Sequence, residues 1–220
     1  MIELLLIRHG ETAWNAERRL QGHLNIPLND AGLQQAQALA LALKNESLDA
    51  IICSDLQRAM QTAQAIAQYQ NQQCIIEPAW RERCFGGFEG ELISQIEQRF
   101  PAEYAAWRAY EIDMQFPANA QGEFNGESIR QFHTRIEQVL LELSQRFQHG
   151  KIVVVAHGGV LECAYRIAHQ LALDAPRQVS MLNASINRFE LSSDQDSVKL
   201  KMLQGGDVAH LELALDELNA

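Results

Sequence analysis

The sequence predicts an α/β fold in three layers. The expected core is a doubly wound, mostly parallel sheet with helices on both faces, a late antiparallel hairpin and an inserted helical lid. Three observations carry this reading. Short apolar runs rich in β-branched residues occur at 2–8, 49–53, 73–77 and 151–156. Helical patterns separate them, the alternation that builds parallel sheets with covered faces. That rhythm breaks once, across 86–126, where glycines and aromatic residues concentrate.

The first strand is the run Ile2-Glu3-Leu4-Leu5-Leu6-Ile7, which ends abruptly in Arg8-His9-Gly10-Glu11-Thr12. A helix over 31–45 follows, with Leu33, Ala36, Leu39, Ala40 and Leu43 at helical spacing. Asn29 or Asp30 is its expected N-cap. The strand at 49–53 leads into a helix over 55–69, with Asp55 near its start and Arg58 on its first turn. Arg81-Glu82-Arg83 comes a few residues after the strand at 73–77. The segment 86–126 holds Gly86, Gly87, Gly90, Gly122 and Gly126 with Tyr104, Trp107, Tyr110, Phe116 and Phe124. It reads as a lid within one domain spanning 1–220, its aromatic residues forming lid core rather than a substrate clamp.

The helix predicted over 127–147 carries Ile129, Phe132, Ile136, Val139, Leu140 and Leu143 on one face. The strand at 151–156 delivers His157-Gly158-Gly159 to the start of a helix over 159–172. Late strands at 185–191 and 197–203, joined by the polar turn Ser192 to Asp196, are expected near the sheet edge. The tail from Asp207 to Ala220, with Leu211, Leu213, Leu215 and Leu218, is expected to pack partly back on the core.

Composition narrows the function. Hydrophobic residues make up 47% of the 220, enough for a substantial core. No run approaches the ~20 apolar residues of a membrane helix. The N-terminal apolar run is short and has no basic segment before it, so no signal peptide is expected and the cytoplasm is the default. A net charge of −10 without a basic stretch argues against nucleic acid and anionic membranes as partners. Cys53, Cys74, Cys84 and Cys163 are scattered and form no CxxC pair, which disfavours a zinc site or disulfide framework. A homodimer through an edge strand or the apolar tail remains open.

Four elements lie just past predicted strand ends: Arg8-His9-Gly10 with Asn15, Arg58, Arg81-Glu82-Arg83 and His157-Gly158. In open α/β sheets that end is where ligands sit, so topology converges them on one face. Two arginines, two histidines and helix N-termini suit phosphate, which arginine grips with a planar donor fork. A carboxylate beside an anion needs a reason, and proton transfer to a leaving oxygen supplies one. Glu82 is the first choice, with Glu11 and Glu89 nearby as alternatives. A histidine nucleophile would split the displacement into two steps, and the second histidine would stabilise the equatorial oxygens. Asn15 is either a phosphate ligand or a helix cap. His23, His133, His149, His169 and His210 read as surface or capping residues, and Cys84 as a packing residue. Arg81 and Arg83 either solvate their loop or touch the distal part of a substrate.

The ordered set resembles the histidine phosphatase superfamily, also called phosphoglycerate-mutase-like. Arg8-His9-Gly10-Glu11-Thr12-x-Trp14-Asn15, with Gln21-Gly22 and Pro27-Leu28, is similar to its opening block. Ser54-Asp55-Leu56-x-Arg58, Arg81-Glu82, Phe85-Gly86, Glu89-Gly90, Gly126-Glu127-Ser128 and His157-Gly158 follow in family order. The resemblance implies that His9 carries the phosphoryl group and that Arg8, Arg58 and His157 grip its oxygens, with Asn15 and the Gly158 backbone assisting. It implies that Glu82 protonates the leaving group and then activates water, that Gln21 and Gly22 contact substrate, and that neither metal nor other cofactor is needed. The substrate class is then a small phosphorylated metabolite. The endings Asn183-Ala184-Ser185-Ile186 and Gly206-Asp207-Val208-Ala209-His210-Leu211 are similar to bacterial members that carry the mutase name but are read as phosphatases. Cofactor-dependent mutases carry an adjacent Arg-Arg pair in a longer insertion, whereas 91–126 holds only Arg99 and Arg108, nine residues apart. A lid poor in cations favours hydrolysis over mutase chemistry. A mutase and a non-catalytic phospho-ligand module are the alternatives.

Overall fold

The computed structural model of the chain describes residues 1–119, 122, 126–194 and 197–211. Its elements in order are β1 (Ile2–Arg8), α1 (Ala13–Ala16), α2 (Asp30–Leu43), β2 (Ala50–Cys53), α3 (Gln57–Gln70) and β3 (Cys74–Ile76). There follow α4 (Ile93–Arg99), α5 (Pro101–Arg108), α6 (Ile129–Arg146), β4 (Gly150–Ala156), α7 (Gly158–His169), β5 (Ile186–Asp194) and β6 (Ser197–Asp207). The strands form one sheet in the order β3-β2-β4-β1-β5-β6. β3, β2, β4 and β1 run parallel, while β5 pairs antiparallel with β1 and β6 with β5.

β1 lies mid-sheet with both faces covered, which is why its sequence is a near-continuous apolar run and not an alternation. Ile2, Leu4 and Leu6 pack into the core shared with α6 and α7; Leu5 and Ile7 pack into the core shared with α2 and α3. Glu3 is the exception. It pairs with Arg188 and Lys151, both of which also reach Glu46, at a half-exposed site where such a network adds little stability.

Local chemistry sets the boundaries. Asn29, not Asp30, caps α2, its side chain accepting from the Gly32 amide at 2.8 Å. The second helix starts at Gln57 rather than 55, because Asp55 is drawn off into a two-pronged pair with Arg81. β3 is shorter than 73–77: the Glu77 amide bonds the Cys53 carbonyl and Pro78 then opens a single 3-10 turn. α7 stops at His169, three residues short of the expectation, where Gln170 turns left-handed at φ 53°. β6 runs to Asp207, longer than 197–203. Within the expected lid, α4, α5 and a 3-10 turn at Gly86–Phe88 gather around a small separate core of Leu20, Phe85, Phe88, Ile96 and Phe116, with Trp107 and Tyr104 against it. Phe124, Gln195 and Asp196 of the expected turn, and the tail positions Leu213, Leu215 and Leu218, lie outside the described residues. Among the described residues no helix is long and apolar enough to cross a membrane.

Candidate active site

The parallel register of β1 and β4 pairs Arg8 with Ala156. The next residue of each strand is a histidine, so His9 and His157 leave adjacent strand tips together, with ring centroids 5.2 Å apart. The chain leaves β1 to cross past β4 toward β2, and leaves β4 to cross past β1 toward β5. The crevice of a doubly wound sheet opens between two such strands.

His9 is buried and its tautomer is fixed from two sides. Nδ1 faces the Gly10 carbonyl at 2.6 Å, and a carbonyl only accepts, so Nδ1 carries the proton. Nε2 accepts from Arg58 Nε at 3.2 Å. The Nε2 lone pair is therefore held toward the site. The backbone of His9 is pinned too: its carbonyl accepts from the Asn183 side-chain amide at 3.1 Å and from the Ala184 amide at 3.2 Å. The Gly10 amide donates to Thr62 Oγ1 at 3.0 Å.

Arg58 enters from the first turn of α3 and is almost fully buried. Its other nitrogens donate to the carbonyls of Gly22 and Leu24 at 2.8 and 2.9 Å, tying the Gln21-Gly22 loop to His9. Arg8 is buried with Nη1 on the Met181 carbonyl, and a Cβ added at Gly158 would stand 3.5 Å from its Nε. Asn15 does both things its sequence position allowed. Its Oδ1 closes a capping box with Thr12, while its buried Nδ2 has no hydrogen-bond partner among the described residues. Both ring nitrogens of His157 and Oε1 of Gln21 are likewise buried and unpartnered there. Buried polar atoms without protein partners, gathered around the His9 and His157 rings, suit a polar ligand.

Glu82 sits on the segment between β3 and α4. Its Oε1 accepts from the Arg83 amide at 2.7 Å and its Oε2 from the Gly159 amide at 3.0 Å, at the start of α7. The rival carboxylates are engaged elsewhere: Glu11 holds Asn29, and Glu89 takes the amides of His23 and Phe85. The Glu82 loop is fastened by groups that sequence reasoning missed. Arg135 donates to the carbonyls of Ala79, Arg81 and Glu82 and forks onto Glu127. Burial would raise the Glu127 carboxyl, but Arg135 holds it below its ordinary value. His23, expected as a surface or capping residue, donates to the Glu82 carbonyl at 2.8 Å. Arg135 stands out in the sequence only as a cation on an otherwise apolar helix face. Cys84 is a buried packing residue, its thiol pushed up to about 11 by burial. All four cysteines are free thiols. Among the described residues no group of three or more His, Cys, Asp and Glu is arranged to hold a metal ion.

Burial lowers the proton affinity of both histidines, with Arg58 the next cause in each. Their folded-state values lie well below the ordinary 6.5. Between those values and 6.5 the unfolded chain binds more protons than the fold, so the ligand-free protein loses stability as pH falls below 6.5. Titration followed by imidazole NMR should show both rings still neutral at pH 6.5, and His9 in its Nδ1–H form. An ordinary mid-point for either ring would contradict this.

Gly159 supplies a second test. A Cβ there would stand 2.2 Å from Glu82 Oε1 and 2.9 Å from Phe132. The nearest obstacle is the end of a flexible side chain, so Gly159→Ala should fold but displace the carboxyl. A displacement near 1 Å costs about 100-fold in rate. Wild-type kcat/KM in a variant with wild-type thermal midpoint would show that Glu82 need not sit there.

With this geometry in hand, comparison with known proteins is specific. A family model described as "Histidine phosphatase superfamily (branch 1)" matches residues 4–203. "Phosphoglycerate mutase-like protein 4" of Arabidopsis thaliana is 36% identical over 96% of this chain and 87% of its own length. "Metal-independent phosphoserine phosphatase" of the same plant is 34% identical over 95% of this chain and 83% of its own. Among solved structures, YhfR of Bacillus stearothermophilus superposes with a TM-score of 0.82 at 27% identity, covering 96% of this chain and all of that one (100%).

Proposed function

From the premise that the chain belongs to the histidine phosphatase superfamily, we propose that it is a metal-independent phosphomonoesterase working through a phosphohistidine. The 86–126 segment would serve as the lid of a single catalytic domain. The observation that carries this reading is the tautomer of His9, which presents a neutral Nε2 lone pair between Arg58 and His157. In the first step Nε2 attacks phosphorus and the bond from phosphorus to the leaving oxygen breaks. Glu82 gives its proton to that oxygen, so the product leaves as a neutral alcohol. In the second step Glu82, now a carboxylate, takes a proton from water. The water oxygen displaces His9, releasing inorganic phosphate and restoring both groups.

The non-reacting oxygens would be held by Arg8, Arg58, Asn15 Nδ2 and His157, with the Gly158 backbone assisting and Gln21 and Gly22 at the rim. Arg58 Nε exchanges His9 for an oxygen as the anion enters. A protonated His157 needs a source of stabilisation in a site that disfavours its charge, and the bound dianion provides it.

The test is phosphate release from a generic aryl phosphate in excess chelator, with alkaline denaturing quench to trap an acid-labile, alkali-stable phosphoenzyme. Turnover that disappears with chelator would end the metal-independent reading. The relative named phosphoglycerate mutase-like keeps a second reading in play. Interconversion of phosphoglycerate isomers, stimulated by the bisphosphorylated acid and faster than phosphate release, would assign a mutase. Stoichiometric phosphate binding with no turnover on any substrate would leave a phospho-ligand module.

A further inference from the structure

Beside the catalytic centre lies a cavity of about 480 Å³. Of the proposed catalytic groups only Glu82 lines it, together with Gly159; His9, His157, Arg8 and Arg58 do not. A space that meets the general acid but not the phosphate grips is on the leaving-group side. It is roomy for a three-carbon acid and falls in the ~300–1,000 Å³ range of pockets that take drug-sized ligands. Its walls are apolar and aromatic: Phe85, Trp107 and Tyr110 on the lid side, Phe132, Leu173 and Pro176 opposite. Trp107 therefore lines the chamber as well as packing the lid.

The cavity is not poor in cations, as the lid alone had suggested, because arginines reach it from outside the lid. Arg166 is already tied to Glu162 and to the carbonyls of Ala172 and Ala175. Arg108 is exposed at the edge. Arg83 is different. It is only 8% exposed, and no carboxylate pairs with it among the described residues. Its Nε donates to the Glu127 carbonyl at 2.8 Å and its guanidinium lies over Phe116 at 4.7 Å. Burial pushes its proton affinity down to about 10, still cationic at neutral pH. Its terminal nitrogens have no acceptor among the described residues. A mostly buried guanidinium whose terminal nitrogens open onto a cavity is placed to take an anionic group of a ligand.

We propose that this cavity receives a leaving group larger than a three-carbon acid, with an apolar or aromatic body between the ring walls and a carboxylate on Arg83. A carboxylate is the anion chosen because its two coplanar oxygens match the fork of Arg83, the one buried guanidinium on this wall whose terminal nitrogens are not already tied to carbonyls or carboxylates among the described residues. The assignment of ends rests on the phosphomonoesterase reading above. Arg83 would be a specificity residue, absent from the phosphate-gripping set.

The test uses binding, so it survives failure of that reading. Calorimetry on the full chain would compare three non-hydrolysable phosphonates: para-carboxybenzyl phosphonate, its methyl ester and the short acid phosphonopropionate. A charge-assisted pair predicts the para-carboxy compound about 10- to 100-fold tighter than the ester. The aromatic walls predict it tighter than the short acid as well. R83M should bring acid and ester to parity. Equal binding of acid and ester by wild-type protein, a short acid that binds as tightly, or no binding by any of the three overturns the proposal. Should R83M not fold, the three-ligand ranking in the wild type decides alone. Loss of the phosphomonoesterase reading would show separately, as tight ligand binding without phosphate release from any ester.

Discussion

His9→Ala is expected to lose at least about 10⁴-fold in phosphate release, because removing a nucleophile removes the covalent route and not merely a contact. Binding should persist. Arg8, Arg58, Asn15 and His157 remain, and Arg58 no longer has Nε2 of His9 as a partner at 3.2 Å. The variant should therefore hold phosphate at least as tightly as the wild type while forming no phosphoenzyme. Two measurements check it: initial rates on an aryl phosphate and calorimetric phosphate binding. Near-normal turnover with intact phosphate binding would remove His9 from the mechanism.

Glu82→Gln should lose about 10²- to 10⁴-fold in kcat/KM on alkyl phosphates, the usual worth of a positioned general acid. On an aryl phosphate whose leaving group needs no proton, the first step should change little and the second should become limiting. A burst of phenol equal to the enzyme concentration is the expected signature. A loss of equal size for good and poor leaving groups would argue against the acid role. The amide also has a structural cost. Both oxygens of Glu82 accept backbone donors, from Arg83 and Gly159, and a glutamine side chain can satisfy only one. Thermal midpoints separate that cost from lost chemistry.

Most of the sheet was legible in the sequence because its strands are buried on both faces. Ile2 to Ile7 and Ile152 to Val155 can hardly be anything but central strands. The histidine-glycine junctions were legible for a related reason: polar residues at the end of such a run must face a ligand or each other. What the sequence hid was long-range. α3 starts at Gln57 and not at 55, because Asp55 is held by Arg81, a partner that only the fold brings to it. His23 looked peripheral because its partner, the Glu82 carbonyl, is 59 residues away. Arg135 shares a helix face with core residues, and its service to the Glu82 loop depends on how α6 lies against that loop. The cavity was hidden for the same reason, since its cations come from different parts of the chain.

α4 and α5 pack around a hydrophobic core of their own, with Leu20, Phe85, Phe88, Ile96 and Phe116, separate from the two that sandwich the sheet. Stability in such a molecule is distributed by unit, and a unit with few apolar contacts opens first. Amides of α4 and α5 should therefore exchange with solvent through openings far cheaper than global unfolding. Amides of β1 and β4 should exchange only when the whole sheet comes apart. The separation of the two histidines would then be among the last quantities to fluctuate, and the boundary of the leaving-group chamber among the first. Reaction chemistry and substrate admission would run on different clocks within one chain.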